Sequence, residues 1–507
     1  MTRLIVFIAL LATALVSPSP AQVGVAVRLA RDLRSDVAVL SSEPDVATWQ
    51  KAHAGNRLEL AHYRTEKDPY ETDFRRLNRW CAASVSRRPA EVVRTALFFV
   101  PDVSQGALPP LPEKEDKSLT QTCRMQALWY ETSATATNAG DAALIDAIVR
   151  ELSAAWGKPN GSFDTSLKRG GDRMPRAIVP TTASGSSATP DIRGGGLWKE
   201  VVAWHRAGIN IWLAYDPKAW ATSAPDDAQG RIIAFARRDS PPDSGINIWL
   251  LGGRLERRVI AEAARIADLD PPLAAAMMQR SFCMMDPEAE TPTRYPIPTL
   301  EPESVTVGRV LQWLSKAKSL PPERQAAAFL VVDAYLVCAG GPTPRLIRAI
   351  GATAAGAREQ QYSHYFRNQA EKLDPQGPAG ELAGLSALAD PCYLKGKGPW
   401  PVLEIKKGES LLQQFPADEW TPWIHFAVAR SHAAKLSFSY AEGNPDEGVL
   451  ALTPAEKQKE RELAIEHFRK FLDELPDDPK SAFAWQEAWR LLSGLPPSHI
   501  GFGCSGD

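Results

Sequence analysis

The chain has 507 residues, of which 44% are hydrophobic and 23% charged, and its 58 basic and 60 acidic side chains give a net charge of −2. These values are typical of a globular protein of two to four domains and exclude a wholly disordered chain. Because no long run of like charges occurs, a nucleic-acid partner is not expected.

The N-terminal residues have the pattern of a secretory signal peptide. Arg3 is followed by an unbroken apolar run from Leu4 to Val16, and Ser19 and Ala21 have the spacing that signal peptidase requires. The run is shorter than the roughly 20 residues that span a bilayer, and no later segment is long and apolar enough to do so. We predict cleavage after Ala21 (signal peptide 1–21) and export to the periplasm or extracellular space, with an uncleaved N-terminal anchor as the alternative.

Six cysteines are spread along the chain, and an exported protein can oxidise them to disulfides. None forms a CxxC pair, so zinc and thioredoxin-like sites have no support. Cys81 and Cys123 are the only two before Cys283, and both lie beside aromatic-rich segments. We predict a disulfide between them, with two buried thiols as the alternative. The remaining cysteines are Cys338, Cys392 and Cys504.

Residues 22–253 are predicted to form an α+β domain with an antiparallel sheet. Short segments rich in aromatic and branched residues, bounded by Pro, Gly or charged residues, predict its strands. These segments start at Leu58, Val92, Cys123, Leu197, Gly208, Gly230 and Gly245. Apolar residues at helical spacing predict one helix over residues 142–156, which ends at Gly157.

The hexapeptide Gly-Ile-Asn-Ile-Trp-Leu occurs twice, at Gly208 and at Gly245. Because the flanking residues differ, we interpret the two copies as similar strands of one sheet. Alternation along a strand places their Ile and Leu residues against the helix over 142–156, with Trp212 or Trp249 on the opposite face. Such an aromatic face either binds a glycan or peptide or is part of the core.

Residues 254–507 are predicted to be all helical. Segments rich in Ala, Leu, Arg and Glu have helical periodicity and are separated by Pro and Gly. The pair Pro321 and Pro322 opens one helix, and Gly340 and Gly341 close it. We predict a linker between the two halves near residues 251–255.

Two segments near the end carry a helical-repeat pattern. "WIHFAVAR" has Trp, Phe, Ala and Arg where the pattern has W-x2-L-G-x2-Y, and "AIEHF" matches A-x3-F and is followed by a proline. The positions are Trp423, Phe426, Ala427, Arg430, Ala464, Phe468 and Pro476. Residues 420–494 therefore resemble a tetratricopeptide (TPR) unit, with three substitutions and a longer connection between the helices.

The resemblance implies that the C-terminal part is the last unit of a degenerate helical array, and such arrays usually bind another polypeptide. One further helix after residue 480 carries apolar residues that can cover the exposed face of the array, as a cap does. These residues are Phe483, Ala484, Ala488, Leu491 and Leu492.

The sequence predicts no catalytic, cofactor-binding or metal-binding residues. HExxH and GxSxG are absent, and the S-x-x-K match at Ser315 occurs without the motifs that accompany it in enzymes. His425 and His432 lie seven residues apart on one predicted helix, with His467 on its partner helix. The three histidines either bind a metal or form ordinary hydrogen bonds, and we favour the second interpretation. Asn160 begins a glycosylation sequon.

Two functions are consistent with these observations. The first is an exported scaffold whose TPR-like C-terminal domain binds another protein or peptide, without nucleic acid, cofactor or integral membrane anchor. The alternative is a secreted hydrolase whose active site lies between the two halves and has no linear motif. We favour the first. Titratable residues converging in a deep cleft would favour the enzyme, and a broad groove along the helices would favour binding.

Overall fold

The computed structural model describes residues 20–60, 80–87, 92–103, 106–133, 138–159, 161–162, 199–216, 231–238, 253–280, 302–338, 365–389, 400–437, 452–478 and 480–497. The strands are β1 (Arg57–Leu60), β2 (Trp80–Arg87), β3 (Val93–Phe99), β4 (Arg124–Ser133), β5 (Gly161–Ser162), β6 (Lys199–Arg206), β7 (Ile209–Asp216) and β8 (Arg231–Arg238). The helices of the N-terminal part are α1 (Pro20–Leu40), α2 (Val46–Ala52) and α3 (Asn138–Trp156).

After residue 252 every element that the structure describes is a helix. These are α4 (Gly253–Ala267), α5 (Pro271–Arg280), α6 (Glu303–Ala317), α7 (Pro322–Cys338), α8 (Tyr365–Leu373), α9 (Pro378–Ala389), α10 (Trp400–Gln414), α11 (Thr421–Ser437), α12 (Pro454–Glu474) and α13 (Ser481–Leu492). The predicted order, an antiparallel sheet followed by a helical region, is therefore confirmed.

The eight strands form one sheet in the order β1-β2-β3-β4-β8-β7-β6-β5, and all neighbours are antiparallel. The strands predicted from Val92, Cys123, Leu197 and Gly208 are β3, β4, β6 and β7, and that from Gly230 is β8. The predicted strand at residue 58 matches β1, and the second copy of the hexapeptide lies outside the described residues. Strand β2 was not predicted, because half of its residues are Ala or Ser, which have no strong strand preference.

The two faces of the sheet pack differently, as the alternation along β7 predicts. Ile209, Ile211 and Leu213 belong to the core under α1 and α3, so the predicted packing on the helix over 142–156 is confirmed. Trp212 lies on the opposite face, stacked on Phe235 with ring centroids 5.6 Å apart. The turn before β7 has positive φ at residue 207 (50°) and residue 208 (74°), as a type I′ hairpin turn requires.

Helix α1 is tied to the sheet by a buried polar contact. The Tyr130 hydroxyl on β4 donates to Asp36 Oδ2, and Arg94 on β3 donates to the same oxygen at 3.0 Å. Burial raises the pKa of Tyr130, and the Asp36 carboxylate adds to this effect. The phenol therefore stays protonated and keeps its hydrogen bond, which holds α1 against the two strands.

The predicted disulfide is confirmed. Cys81 of β2 and Cys123, just before β4, are bonded, with their Cα atoms 6.7 Å apart, and both are fully buried. Strand β3 lies between β2 and β4 in the sheet, so the disulfide links β2 to the residue before β4 across β3.

We expect the double variant Cys81→Ala, Cys123→Ala to be less stable than the wild type by about 3 kcal/mol, because the unfolded chain regains the freedom of a loop that the disulfide closes. The two cysteines are 42 residues apart in sequence. The urea unfolding midpoint measures the loss, and dithiothreitol should lower the wild-type midpoint without affecting the double variant. A wild-type midpoint that does not respond to reductant under unfolding conditions would contradict this.

In the helical region, α7 is the central element. It contacts α4, α5, α6, α8 and α9, and its Ala326, Ala327 and Ala328 are fully buried. The Trp313 indole of α6 donates to the carbonyl of Ala328 at 2.9 Å. Small side chains let the surrounding helices approach α7 closely. The first helices of this region thus form a bundle around one helix.

Helices α10 to α13 follow a different plan, in which each helix packs on its neighbour along the chain. Gly408 of α10 makes the first contact possible, because a Cβ at this position would lie 2.3 Å from Cγ2 of Val428 on α11. At the next contact the rings of Phe426 on α11 and Phe468 on α12 lie 6.2 Å apart. We call α10–α13 the array.

Helix α13 is buried on two sides. Phe483, Ala484, Ala488 and Leu491 belong to the core of the helical region. Trp485 and Trp489, on its other face, belong to the core between the sheet and α1 and α3. All five residues predicted to cover the array are buried. The helix differs from a terminal cap, which has one face in solvent, because its second face completes the N-terminal core.

Residues 108–112, Leu-Pro-Pro-Leu-Pro, cross from the loop between β3 and β4 to the array, and we call them the proline segment. Trp485 Nε1 donates to the carbonyl of Pro109 at 2.6 Å, and Arg469 donates to the carbonyl of Pro112. The charged run after the segment is exposed, as a solvated loop should be, although Glu115 also pairs with Arg461 at 3.6 Å. The segment therefore joins the two halves of the chain.

The predicted division at 253/254 coincides with the start of α4. However, α13 and the proline segment connect the two sides of this division. Independent folding of the two halves therefore stays a prediction. Residues 1–19 of the predicted signal peptide lie outside the described residues, and so do Trp249, Asn160 and the predicted helix closure at Gly340 and Gly341.

Candidate functional site

Helix α11 carries the polar side chains that the structure brings together. Residues 421–434 are all buried, although they include two histidines, an arginine and a serine. A helix buried on every side is normally apolar, so each of these polar groups needs a partner on a neighbouring helix. Two groups of contacts meet this need, and a further group lies at the start of the helix.

The first group is the set of three histidines singled out from the sequence, His425, His432 and His467, which we call the histidine cluster. Nδ1 of His425 on α11 lies 2.8 Å from Nδ1 of His467 on α12. The rings of His432 and His467 have centroids 5.9 Å apart. The predicted proximity of the three is confirmed.

The contact between His425 and His467 needs one ring to donate its Nδ1–H and the other, which must be neutral, to accept it. Burial lowers the pKa of His425 to about 4, with a contribution from Lys470. Burial also lowers the pKa of His467 to about 3, and the neighbouring His425 acts in the same direction. At neutral pH the pair is therefore an uncharged hydrogen bond between α11 and α12.

The third histidine is held by a carboxylate. Nδ1 of His432 lies 2.6 Å from Oε2 of Glu460 on α12, and Lys435 donates to the other oxygen of Glu460. Burial acts to raise the pKa of Glu460, but the hydrogen bonds from His432 and Lys435 outweigh it and hold the pKa below its usual range. The carboxylate thus stays ionised and fixes the His432 ring.

The second group is a pair of carboxyl groups that sequence reasoning missed, Glu381 on α9 and Asp418 just before α11. Asp418 Oδ1 accepts hydrogen bonds from the backbone N–H groups of Trp420 at 2.8 Å and Thr421 at 3.1 Å, which caps the start of α11. Burial raises the pKa of Glu381 to about 9, and its hydrogen bond to Asp418 and the charge of Asp418 add to this. Glu381 therefore donates a proton to Asp418 at neutral pH.

This proton has a consequence for stability. The folded-state pKa of Glu381 lies above its unfolded value of 4.5, so the stability that the proton contributes is full below pH 4.5 and is lost as pH rises toward 9. A glutamine donates to Asp418 at any pH. We expect Glu381→Gln to match the wild type near pH 5 and to be more stable by on the order of 2 kcal/mol near pH 8.

Urea midpoints at the two pH values measure this difference. Glu409→Gln is the matched control, because Glu409 is an exposed glutamate on α10 and its replacement should change neither value. Parallel pH profiles for the wild type and Glu381→Gln would contradict the protonated state of Glu381.

The third group is a buried ion pair. Arg430 on α11 donates to Oε1 of Glu404 on α10, and Ser431 donates to Oε2 of the same carboxylate at 2.6 Å. The side chains of Arg430 and Glu404 are 0% and 1% exposed. Burial raises the pKa of Glu404, while Arg430 and Ser431 act in the opposite direction. Arg430, which stands where the TPR pattern has tyrosine, therefore joins α11 to α10 through charge.

The other residues considered from the sequence do not join these groups. Ser315 is an exposed residue of α6 whose hydroxyl donates to the carbonyl of Gln312 at 2.8 Å, so its contact is within its own helix. Trp212 is buried, and its ring packs in the sheet face described above, which favours a core role over a glycan-binding face.

Within the described residues, no group of three or more His, Cys, Asp or Glu side chains is arranged to hold a metal ion. None of the helices in the described ranges is long and apolar enough to cross a membrane. Comparisons with protein-family models, with curated proteins and with solved structures found no match.

Proposed function

We propose that the chain is an exported scaffold that binds another polypeptide through the array. The observation that carries this proposal is the serial packing of α10–α13, each helix on its neighbour, which is how repeat arrays are built. The positions of the TPR-like pattern support it, because Trp423, Phe426 and Ala427 of α11 and Ala464 and Phe468 of α12 are buried, as residues that join a helix pair must be.

The partner surface in this proposal is the outer face of α12. Helix α11, which is the first helix of the TPR-like unit, is buried on every side and offers no groove. Helix α12 instead exposes polar and charged side chains along its length, and polar side chains of this kind form the rim of protein interfaces. These include Gln458, Lys459, Glu462, Glu466, Lys470, Asp473 and Glu474.

Export is part of the same proposal. It rests on the signal-peptide pattern that ends at Ala21, and the disulfide between Cys81 and Cys123 is compatible with it, because such bonds persist in oxidising compartments. N-terminal sequencing of the mature protein should begin at Gln22. A mature chain that starts at Met1 would refute export by this signal.

Site-specific crosslinking in the native host tests the binding role. A photoreactive residue at Glu462 or Glu466 on α12 should give one discrete adduct whose partner is identified by mass spectrometry and then binds the purified protein. The same residue at exposed Arg31 on α1 is the control and should give no such adduct. Identical adducts at α12 and α1, or no adduct at either α12 position, would refute the proposal.

The carboxyl pair favours a second candidate, a hydrolase. Glu381 holds a proton at neutral pH beside a second carboxyl group, that of Asp418, and a general acid needs such a proton. A panel of chromogenic esters, glycosides and phosphates tests it. The candidate would be established if Glu381→Gln and Asp418→Asn each abolish an activity that Glu419→Gln retains. If the wild type hydrolyses none of these substrates, a hydrolase of these classes is excluded.

A further inference from the structure

The proline segment, Leu108–Pro112, has a conformation that its sequence largely dictates. Proline fixes its own φ near −65°, and a residue that precedes proline is confined to extended backbone. Leu108, Pro109 and Leu111 each precede a proline. The segment is therefore biased to the polyproline II helix, which has three residues per turn, so positions three apart face the same side.

The contacts of the segment follow this spacing of three. The carbonyls of Pro109 and Pro112 are three residues apart, and both accept hydrogen bonds from the array, from Trp485 Nε1 and from Arg469. Leu108 and Leu111, also three apart, pack against the N-terminal core, and Leu111 reaches the helical core as well. The prolines at 109 and 110 remain exposed.

The surface that receives the segment is built from α12 and α13. The indole of Trp485 is buried and stacks on that of Trp489, with ring centroids 6.4 Å apart and an interplanar angle of 28°. An indole N–H directed at a proline carbonyl, with aromatic and apolar side chains beside it, is the arrangement by which proteins bind proline-rich peptides in the polyproline II conformation.

We propose that the surface formed by Arg469 and Trp485 is a peptide-binding site for a partner polypeptide that carries a Leu-Pro-x-Leu-Pro segment, and that the chain's own proline segment occupies it. This inference rests on the proposed binding role of the array and names the class of partner. The hydrogen bonds of the site go to backbone carbonyls and its apolar contacts to two leucines, so any polypeptide with the same spacing presents the same groups.

The tethered segment competes with a free peptide. A segment linked through a short loop is present at an effective concentration of about 1 mM, so a free peptide binds the wild type much more weakly than it binds an emptied site. We expect replacement of residues 108–112 by Gly-Ser-Gly-Ser-Gly to tighten binding of the free peptide by at least about tenfold.

Fluorescence anisotropy with a labelled peptide of residues 106–117 tests this on the full-length protein. The segment-replaced variant should bind the peptide. Adding Trp485→Phe, which keeps a ring but loses the N–H, or Arg469→Gln should weaken binding by at least about tenfold, since each removes a hydrogen bond to a carbonyl. Lys406→Gln, at an exposed position on α10, is the control and should leave binding unchanged. A peptide with alanine in place of both Pro109 and Pro112 should bind weakly.

Trp485→Phe in the otherwise intact chain gives a second measurement if the segment-replaced variant does not fold. It should increase hydroxyl-radical labelling of the half-buried Leu108 and Leu111 side chains while leaving labelling in β3 and β4 unchanged. A folded segment-replaced variant that does not bind the peptide, or that binds it equally after Trp485→Phe, would overturn the inference. The crosslinks on the outer face of α12 would be unaffected by that result, so the two proposals fail separately.

Discussion

Replacing Glu404 by alanine should lower the free energy of unfolding by about 3 to 5 kcal/mol, the usual cost of leaving a buried charge without its partner. Glu404 and Arg430 are almost fully buried, and Ser431 also donates to the same carboxylate. Arginine does not lose its proton in proteins, so the variant retains a cation in the contact between α10 and α11.

The reciprocal variant Arg430→Leu should lower the free energy of unfolding by less than Glu404→Ala does. Its remaining carboxyl group can take up a proton, and burial already raises the pKa of Glu404. Replacing both Glu404 and Arg430 by leucine should recover most of the loss, because a buried ion pair is often no more stabilising than apolar side chains of similar volume. In urea unfolding, the wild type and the double variant should therefore have the highest free energies of unfolding. Arg430→Leu should have a lower value, and Glu404→Ala the lowest.

The matched control is an exposed pair. Arg265 Nε donates to Glu262 at 2.7 Å on the surface of α4, where Arg265 is 72% exposed. Glu262→Ala should cost about 0.5 kcal/mol or less. Equal losses for Glu262→Ala and Glu404→Ala, or a greater loss for Arg430→Leu than for Glu404→Ala, would show that the buried charge is not what matters at this position.

Acidification should destabilise the protein through the histidine cluster. The folded-state pKa values of His425 and His467, about 4 and about 3, lie below the unfolded value of 6.5. Their contribution to stability is therefore full above pH 6.5 and is lost as pH falls toward 3. At pH 5 the unfolded state takes up protons that the folded state excludes, which costs about 2 kcal/mol for each histidine and about 4 kcal/mol for both.

The charges around the pair do not offset this loss. Lys470 faces both rings and lowers their pKa values further, while Glu466 acts in the other direction but is paired with Lys470 at 2.8 Å. Glu460 is occupied by His432 and Lys435. No carboxylate in these contacts is thus left to bind a new imidazolium at the interface of α11 and α12.

Urea midpoints at pH 7.5 and pH 5 measure the effect. The double variant His425→Gln, His467→Gln should be less stable than the wild type at pH 7.5 but should lose about 4 kcal/mol less on going to pH 5. Lys459→Ala, on the exposed face of α12, should retain the wild-type difference. A wild type whose loss between these pH values equals that of the double variant would show that the pair does not exclude protons.

The elements that local sequence predicts well are those whose side chains repeat with a clear period. Helices α6, α7 and α12 and strands β3, β7 and β8 are of this kind, because burial of one face imposes a period of 3.6 or 2. Strand β2 was missed because its fully buried residues, Cys81, Ala82 and Ala83, are small. Helix α1 was missed although Leu29, Leu33 and Leu40 have helical spacing, because it begins inside the predicted signal peptide.

The contacts of the candidate site also include some that local sequence predicts and some that it does not. The histidine cluster was predictable because a heptad spacing on one helix and an antiparallel partner helix fix proximity locally. The carboxyl pair was not predictable, because Glu381 lies on α9 and Asp418 just before α11, and the two meet only through the packing of α9 on α11. The same holds for Glu404 with Arg430 and for Pro109 with Trp485, which depend on tertiary contacts that no local pattern encodes.

The double burial of α13 sets an order of events during biosynthesis. A chain grows at roughly 5 to 20 residues per second, so roughly 10 to 50 seconds pass between synthesis of β8 and of α13. Throughout that interval the core beneath the sheet lacks Trp485 and Trp489, so the apolar side chains that these two indoles cover in the folded protein are without that cover. Exposed apolar surface favours aggregation, so a chain that ends before α13 should aggregate more readily than the full-length protein.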